Sequence, residues 1–397
     1  MNVTNRKNLV ILAFSLVVVM LGFGMVVPIL PFYITQFNAG GSAFGLLVAI
    51  GALTEFLFGP IWGNISDRTG RKPILMIGML GYGLSMLLFG LSTRLWMLFA
   101  SRALSGVLSS AALSTAMAYI GDSTSQKERG GGMGLLGAAA GAGTIIGPGI
   151  GGLLATESLS RPFFVAAGMS VLSLIAIFLL LPESLPREGR ASTDRKIQFV
   201  NFKSLAGAIA SPIGFLLLLA LLATFGTSNF EAIYSLYILK KLDYTPERIG
   251  AILTVVGVIA LVGRGVLTGV FTKRFGEASV IKASLLAAAL GFGLLLLANT
   301  SLSVLLATGF FVFAVTFLRP SIHSLTSQRA TVGQGMALGL SNSFVSLGRI
   351  AGSLYAGGMF DAGMDYPFYS GVVILLVCFG LSVRRVGRKW WILSPKR

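Results

Sequence analysis

Two glutamates and four arginines stand inside otherwise apolar runs of this sequence, and no other residues are better placed to do chemistry. Glu231 lies in Gly226-Thr-Ser-Asn-Phe-Glu-Ala-Ile-Tyr-Ser-Leu-Tyr237 and Glu55 in Gly51-Ala-Leu-Thr-Glu-Phe-Leu-Phe-Gly59; the cations are Arg102, Arg264, Arg319 and Arg349. Low dielectric disfavours a charged carboxylate, which suits a group that takes up and releases a proton near neutrality. Once ionised, such a group attracts a lipophilic cation, so proton and organic cation compete for one site. The structural alternative for Glu231 is a pair with a fixed arginine. Arg102 would cost at least about 2.5 kcal/mol facing lipid, so it is expected to face the protein interior or a partner.

The sequence contains no nucleophile, base and orienter set and no phosphate-binding glycine loop. One histidine, His323, and one cysteine, Cys378, exclude a metal site built from those two residue types and an internal disulfide framework. The expected chemistry is coupling and binding, without catalysis, cofactor or metal.

The elements that carry these residues are membrane spans. Of the 397 residues 54% are hydrophobic and 11% charged, and 51 are glycine; a soluble chain of this size cannot hide so much apolar surface, and small residues suit helix packing in lipid. Runs of about 20 apolar residues are long enough to cross the hydrocarbon. Twelve such runs are predicted at 9–30, 43–65, 73–92, 95–118, 130–155, 162–182, 211–239, 248–271, 279–298, 301–322, 334–358 and 366–383. The fold class expected is an all-α membrane protein of two pseudo-symmetric six-helix bundles.

An even number of spans puts both termini on one side. The loops of that side hold 22 of the 31 Lys and Arg residues and the opposite loops 5, so the termini are expected to be cytoplasmic. The net charge of +17, which in a soluble domain would suggest nucleic-acid binding, thus becomes a signal of topology. The longest polar connection divides the chain into residues 1–186, a linker over 187–204, and residues 205–397. Gly63 to Gly70 matches Gly269 to Gly276 at an offset of 206, while Gly147 pairs with Gly352, and Arg161-Pro-Phe-Phe with Tyr366-Pro-Phe-Tyr, at 205. Two repeats around a midplane site is an architecture of secondary transporters.

Short motifs sharpen this. After the second span comes Gly63-Asn-Ile-Ser-Asp67-Arg68-Thr-Gly70-Arg71-Lys72, which resembles the loop signature of the major facilitator superfamily, Gly-x-x-x-Asp-Arg-x-Gly-Arg-Lys. The resemblance implies that Asp67 docks on helix ends of the other half and latches an outward-facing state; the second copy has Lys273 there. Arg102-Ala-Leu-Ser-Gly106 resembles the superfamily's Arg-x-x-x-Gly motif, whose arginine assists proton transfer. Gly143-Thr-Ile-Ile-Gly147-Pro148-Gly149-Ile-Gly151-Gly152 resembles the antiporter motif of drug–proton exchangers. Glycines four apart line one helix face, and Pro148 permits a bend. With Glu-x-x-Tyr-Ser-Leu-Tyr in the seventh span, the chain is similar nearly end to end to quinolone and multidrug efflux pumps of Gram-positive bacteria.

One departure concerns the coupling acids. Those pumps carry an aspartate three residues before an Arg-Pro in span 10, and this sequence has Thr316 before Arg319-Pro320. Two roles are open to Glu55: it replaces the missing acid, or it pairs with Arg349, which lies at a similar depth by residue count. The pair is the favoured reading.

The residues expected around a substrate are Glu231, Tyr234, Arg319, Asn342, Phe14, Phe230, Phe313 and Phe317; those expected in proton coupling are Glu231, Arg102 and Glu55. The resemblance implies a proton-coupled exporter of lipophilic, often cationic drugs, acting as a monomer in a bacterial plasma membrane, with lipid around it and no nucleic-acid partner. A dedicated exporter of an endogenous metabolite, sugar or lipid is the alternative carrier. A non-transporting receptor or scaffold is the alternative from another class.

Overall fold

The computed structural model describes residues 3–124, 129–186, 188, 190 and 202–385, and among these no strand occurs. The first half runs through α1 (Val3–Gln36), α2 (Gly41–Thr69), α3 (Arg71–Gly90), α4 (Leu95–Ser123), α5 (Arg129–Ala155) and α6 (Arg161–Leu180). A short helix α7 (Phe202–Ile209), which the apolar-run pattern does not announce, precedes α8 (Gly214–Leu242). Then follow α9 (Pro246–Val262), α10 (Thr268–Phe275), α11 (Glu277–Leu297), α12 (Ser301–Thr316), α13 (Leu318–Arg329), α14 (Gln334–Ala362) and α15 (Tyr366–Arg385). The predicted linker is largely outside the described residues, as 187, 189 and 191–201 are not among them.

Most of the predicted spans are single helices, but two are each two helices in series. Span 8 is α9 and α10 joined by a π-helical turn, Gly263–Leu267, which carries Arg264. Span 10 divides at Phe317, between α12 and α13. Pro320 explains the second break, because it has no N–H to give the Thr316 carbonyl four residues earlier. Eleven of the spans are apolar enough to cross a membrane on composition. The remaining one, α14, has the length but carries Ser341, Asn342, Ser343, Ser346, Arg349 and Ser353.

The backbone repeats as the sequence does. Among the described residues, four have a left-handed φ: Asn38 (52°), Asp243 (51°), Gly70 (107°) and Gly276 (75°). They form two pairs, at offsets of 205 and 206. Asn and Asp tolerate this region through their short polar side chains, and glycine has no Cβ to oppose it. The same turns therefore follow the first and second spans of each half.

By its internal contacts the chain forms two compact units, Met1–Asn201 with Tyr234–Gly257, and Phe202–Ile233 with Val258–Arg397. Contacts and repeat do not share a boundary, because the first turns of α9 pack on α5. Gly250 lies against the Pro148 carbonyl, Gly152 against the backbone of Pro246 and Glu247, and Gly149 against Thr254.

Candidate transport site

In the second unit, α14 approaches α8 at the backbone. A Cβ at Gly352 would fall 2.6 Å from the Phe225 carbonyl oxygen, and one at Gly348 would fall 2.4 Å from the Leu221 carbonyl oxygen. This approach sets Arg349, next to Gly348, beside Glu231: Nη2 to Oε2 is 3.1 Å. The expected partner of Arg349 is Glu55, and the partner found is Glu231. Depth by residue count does not separate the two acids, whereas the glycine contact fixes which helix face meets Arg349. Nor is Glu231 buried. Its side chain is 50% exposed and that of Arg349 is 49% exposed, so both reach open space while holding each other. Glu55 is also exposed, on α2 in the first unit.

The expected aromatic wall divides. Phe230 is buried and packs its ring 4.6 Å from Phe311, which packs 4.4 Å from Phe292. Tyr234 and Phe317 are buried as well, so these three rings are held in helix packing. Phe14 is exposed on α1, and Phe313 stacks edge-on against Phe317 at 5.0 Å. Asn342 is exposed and accepts a hydrogen bond from Arg319 Nη2 at 3.3 Å. Arg319 and Asn342 thus join α13 to α14 about two turns from Arg349.

In the first unit, Arg102 of α4 lies over the Phe23 ring, 5.3 Å from its centroid. Its guanidinium fills the space that Gly51 of α2 leaves, since a Cβ there would stand 2.5 Å from Nε. Gly106, four residues on, lets α4 close on Thr54 and the Gly51 carbonyl. The Arg-x-x-x-Gly spacing therefore works as one device: the glycine sets the crossing and the arginine occupies it. Trp62 Nε1 donates to the Val107 carbonyl at 2.6 Å and holds the same crossing further along. Substituting Gly51→Ala should displace Arg102 and reduce transport at least about tenfold with little change in the amount of folded protein; equal initial rates for both proteins would refute this role.

The glycines of α5 serve two faces. Gly143, Gly147 and Gly151 lie against the α1 backbone at Val17, Leu21, Gly24 and Met25, whereas Gly149 and Gly152 face α9. Pro148 sits between them without ending the helix, its ring against Gly24 and its carbonyl against Gly250. The second unit repeats the first of these contacts with Gly348 and Gly352, each 205 residues after Gly143 and Gly147.

The loop after α2 is tied within the first unit. Arg71 Nη1 is 2.5 Å from Asp67 Oδ1, Arg71 Nε donates to Asp122 Oδ2 at 2.8 Å, and Nη1 donates to Ser66 Oγ at 2.6 Å. Glu183, just past α6, belongs to none of the motifs that mark this loop. Its carboxylate accepts from the backbone N–H of Arg71 (2.7 Å), Lys72 (3.2 Å), Ser184 (3.0 Å) and Leu185 (3.1 Å). It caps α3, whose first N–H groups have no partner within the helix; the only signal for it is an acid in Pro182-Glu183 directly after a span. Gly63 has open space around its Cα, while a Cβ on Gly70 would strike the Glu183 carboxylate. Gly70→Ala should therefore cost roughly 1–3 kcal/mol and lower the thermal unfolding midpoint. Gly276→Ala, at the repeated turn but with open space, should shift it less; equal shifts would remove Glu183 from the account.

Comparison with known proteins decides the family. The Major Facilitator Superfamily model matches residues 12–218 and again 216–391. The chain belongs to the Major Facilitator Superfamily. Relatives of this facilitator include multidrug resistance protein 2 of Bacillus subtilis (strain 168), 33% identical over 385 residues, covering 96% of this chain and 96% of the relative. The quinolone resistance protein NorA of Staphylococcus aureus (strain COL) is 30% identical over 384 residues, covering 94% of this chain and 96% of the other. Among solved structures, a bacterial homolog of the human lysosomal transporter Spinster, inward-facing and occupied, superposes with a TM-score of 0.79 at 14% identity over 97% of each chain. The human organic anion transporter MFSD10 gives 0.68 at 22% identity over 95% of this chain and 99% of that one. These two likenesses concern the fold. The facilitator is a multi-pass membrane transporter.

In this facilitator the span-10 position of the absent aspartate is a packing site. Thr316 is buried, and a Cβ on Gly263, where the π-helical turn begins, would lie 2.6 Å from its Cγ2. The two interrupted spans meet there, and Phe271 of α10 packs on Phe317 at 5.3 Å. A carboxylate would have to enter that contact.

Proposed function

We propose that this facilitator exports lipophilic, often cationic drugs such as quinolones and dyes in exchange for protons. The arrangement that carries the reading is the Glu231–Arg349 pair, half-exposed in the middle of two spans that glycines press together. An intramembrane acid that is paired yet open can exchange its partner: proton, arginine or substrate cation. Protonation of Glu231 releases Arg349 and favours return of the empty carrier; loss of the proton restores the charge that a cationic drug meets. Arg102 assists proton movement in the first unit, and Glu55, relieved of the role expected with Arg349, stands as the second intramembrane acid.

The multidrug and quinolone resistance proteins that resemble this chain over nearly its whole length support the substrate class. The same reading puts the carrier in a bacterial plasma membrane with cytoplasmic termini and needs no cofactor beyond the proton. Exchange of one proton for one monovalent cation moves no net charge, so the pH difference drives it: about 1.7 pH units supply about 2.3 kcal/mol, enough for a substrate gradient on the order of 50-fold.

The test is flux into proteoliposomes under an imposed pH gradient, with a panel of lipophilic cations and quinolones. Gradient-dependent accumulation of several unrelated compounds is expected. Movement of one metabolite with rejection of the dyes would favour a dedicated exporter, and no flux of any compound would favour a receptor or scaffold.

A further inference from the structure

We propose that the second unit carries a binding site for one anionic phospholipid, with an acyl chain in an apolar groove and the headgroup on a basic edge. The groove lies among α10, α11 and α12 and has a volume of about 420 Å³. Its wall is made by Phe271 and Phe275 of α10, Ala283 and Ala287 of α11, and Phe313 and Phe317, with Ser279 and Ser284 the hydroxyl-bearing residues among its lining. Ser279, Ala283 and Ala287 follow one another at four-residue intervals on α11, so the opening runs lengthwise along that helix, from Phe275 just ahead of its start, as a chain-shaped channel.

The occupant is chosen by charge. Arg274 stacks over Phe275, its Cζ 5.4 Å from the ring centroid, and so marks one end of the groove as basic. Lys273 is its neighbour at the end of α10, and Lys282 immediately precedes the lining residue Ala283. The nearby acid, Glu277, is committed to α13: its Oε1 accepts from Ser324 Oγ at 2.9 Å and Gln328 Nε2 at 2.7 Å. A groove with apolar walls, Arg274 stacked on one of its lining rings and Lys273 and Lys282 close to its lining residues in sequence fits a molecule with a long apolar tail and an anionic head. It is a poor fit for the lipophilic cations proposed for the Glu231 site, which those residues would repel. The site is separate from that function and its test uses no transport readout.

Native mass spectrometry of the purified full chain, equilibrated with equal amounts of phosphatidylglycerol and phosphatidylcholine of identical chains, measures the preference directly. Retention of phosphatidylglycerol over phosphatidylcholine is expected. Each basic residue is worth roughly a fivefold preference, so Lys273→Gln, Arg274→Gln and Lys282→Gln together should lower it on the order of a hundredfold. Ala283→Trp, which fills the groove from its exposed side, should lower retention of the preferred lipid with the basic edge intact. Glycerol phosphate, which has the charge and no chain, should not compete. Equal retention of both lipids by the unaltered protein, an unchanged preference in the triple variant, undiminished retention in Ala283→Trp, or competition by glycerol phosphate would each overturn the proposal. So would displacement of the bound lipid by tetraphenylphosphonium, which would make the groove a drug site.

Discussion

Replacing Glu231 by Gln is expected to reduce accumulation driven by a gradient of about 1.7 pH units from about 50-fold to parity, the full effect of one coupled proton. Glutamine keeps the size and hydrogen-bonding capacity of the side chain but neither titrates nor balances the Arg349 charge 3.1 Å away. The measurement is substrate uptake into proteoliposomes with and without a pH gradient. A companion variant separates coupling from assembly. Exchanging the two residues, Glu231→Arg with Arg349→Glu, restores the pair's net charge on the same two helices and should recover folded protein relative to either single reversal. Gradient-driven accumulation that survives in Glu231→Gln would show that the proton binds elsewhere, with Glu55 the next residue to replace.

The second large effect concerns glycine. Gly147→Val should abolish transport and remove most folded protein, because the first added carbon would meet the Leu21 carbonyl at 2.5 Å and Gly24 Cα at 2.8 Å. Backbone cannot rotate away as a side chain can, so α1 and α5 must separate, and overpacking of this kind costs at least about 1–3 kcal/mol. Gly352→Val should do the same through Phe225 in the second unit. Gly137 and Gly168, where an added methyl group would meet open space, serve as controls and should tolerate alanine. Detergent-solubilised yield on size exclusion, followed by thermal unfolding, reads the difference. Normal yield and flux in Gly147→Val would mean that the two helices are not required to touch.

Much of this architecture is legible in the residues. Apolar length marks the spans, and the offset of about 205 reappears in backbone torsions at Asn38 and Asp243, which lie in no motif. The four-residue spacing of the α5 glycines announces a close-packing face, but not that α5 uses two faces, because α9 as its second neighbour leaves no local trace in sequence. Glu231 and Arg349 both stand out as charges in apolar runs, yet their pairing with each other does not: depth follows from counting, azimuth around the helix does not. The expected aromatic wall divides into buried and exposed rings for a different reason. In a membrane, residues facing lipid, a neighbouring helix or a cavity are all apolar, so Phe230 carries no mark that distinguishes burial from lining. The break in span 10 does have a signal, Pro320, and the π-helical turn in span 8 has one in Gly263 and Gly265 around Arg264.

The polar character of α14 bears on how the chain enters its membrane. Each charged or strongly polar residue near the middle of a helix opposes transfer from the insertion machinery into lipid, by about 2.5–3.5 kcal/mol for an arginine. A helix carrying Arg349 and several serines is therefore retained by its neighbours more than by the hydrocarbon. The acid that compensates Arg349, Glu231, belongs to α8, made more than a hundred residues earlier. Biogenesis must keep α8 accessible until α14 emerges, so the acid proposed to carry the proton also recruits a late helix during synthesis.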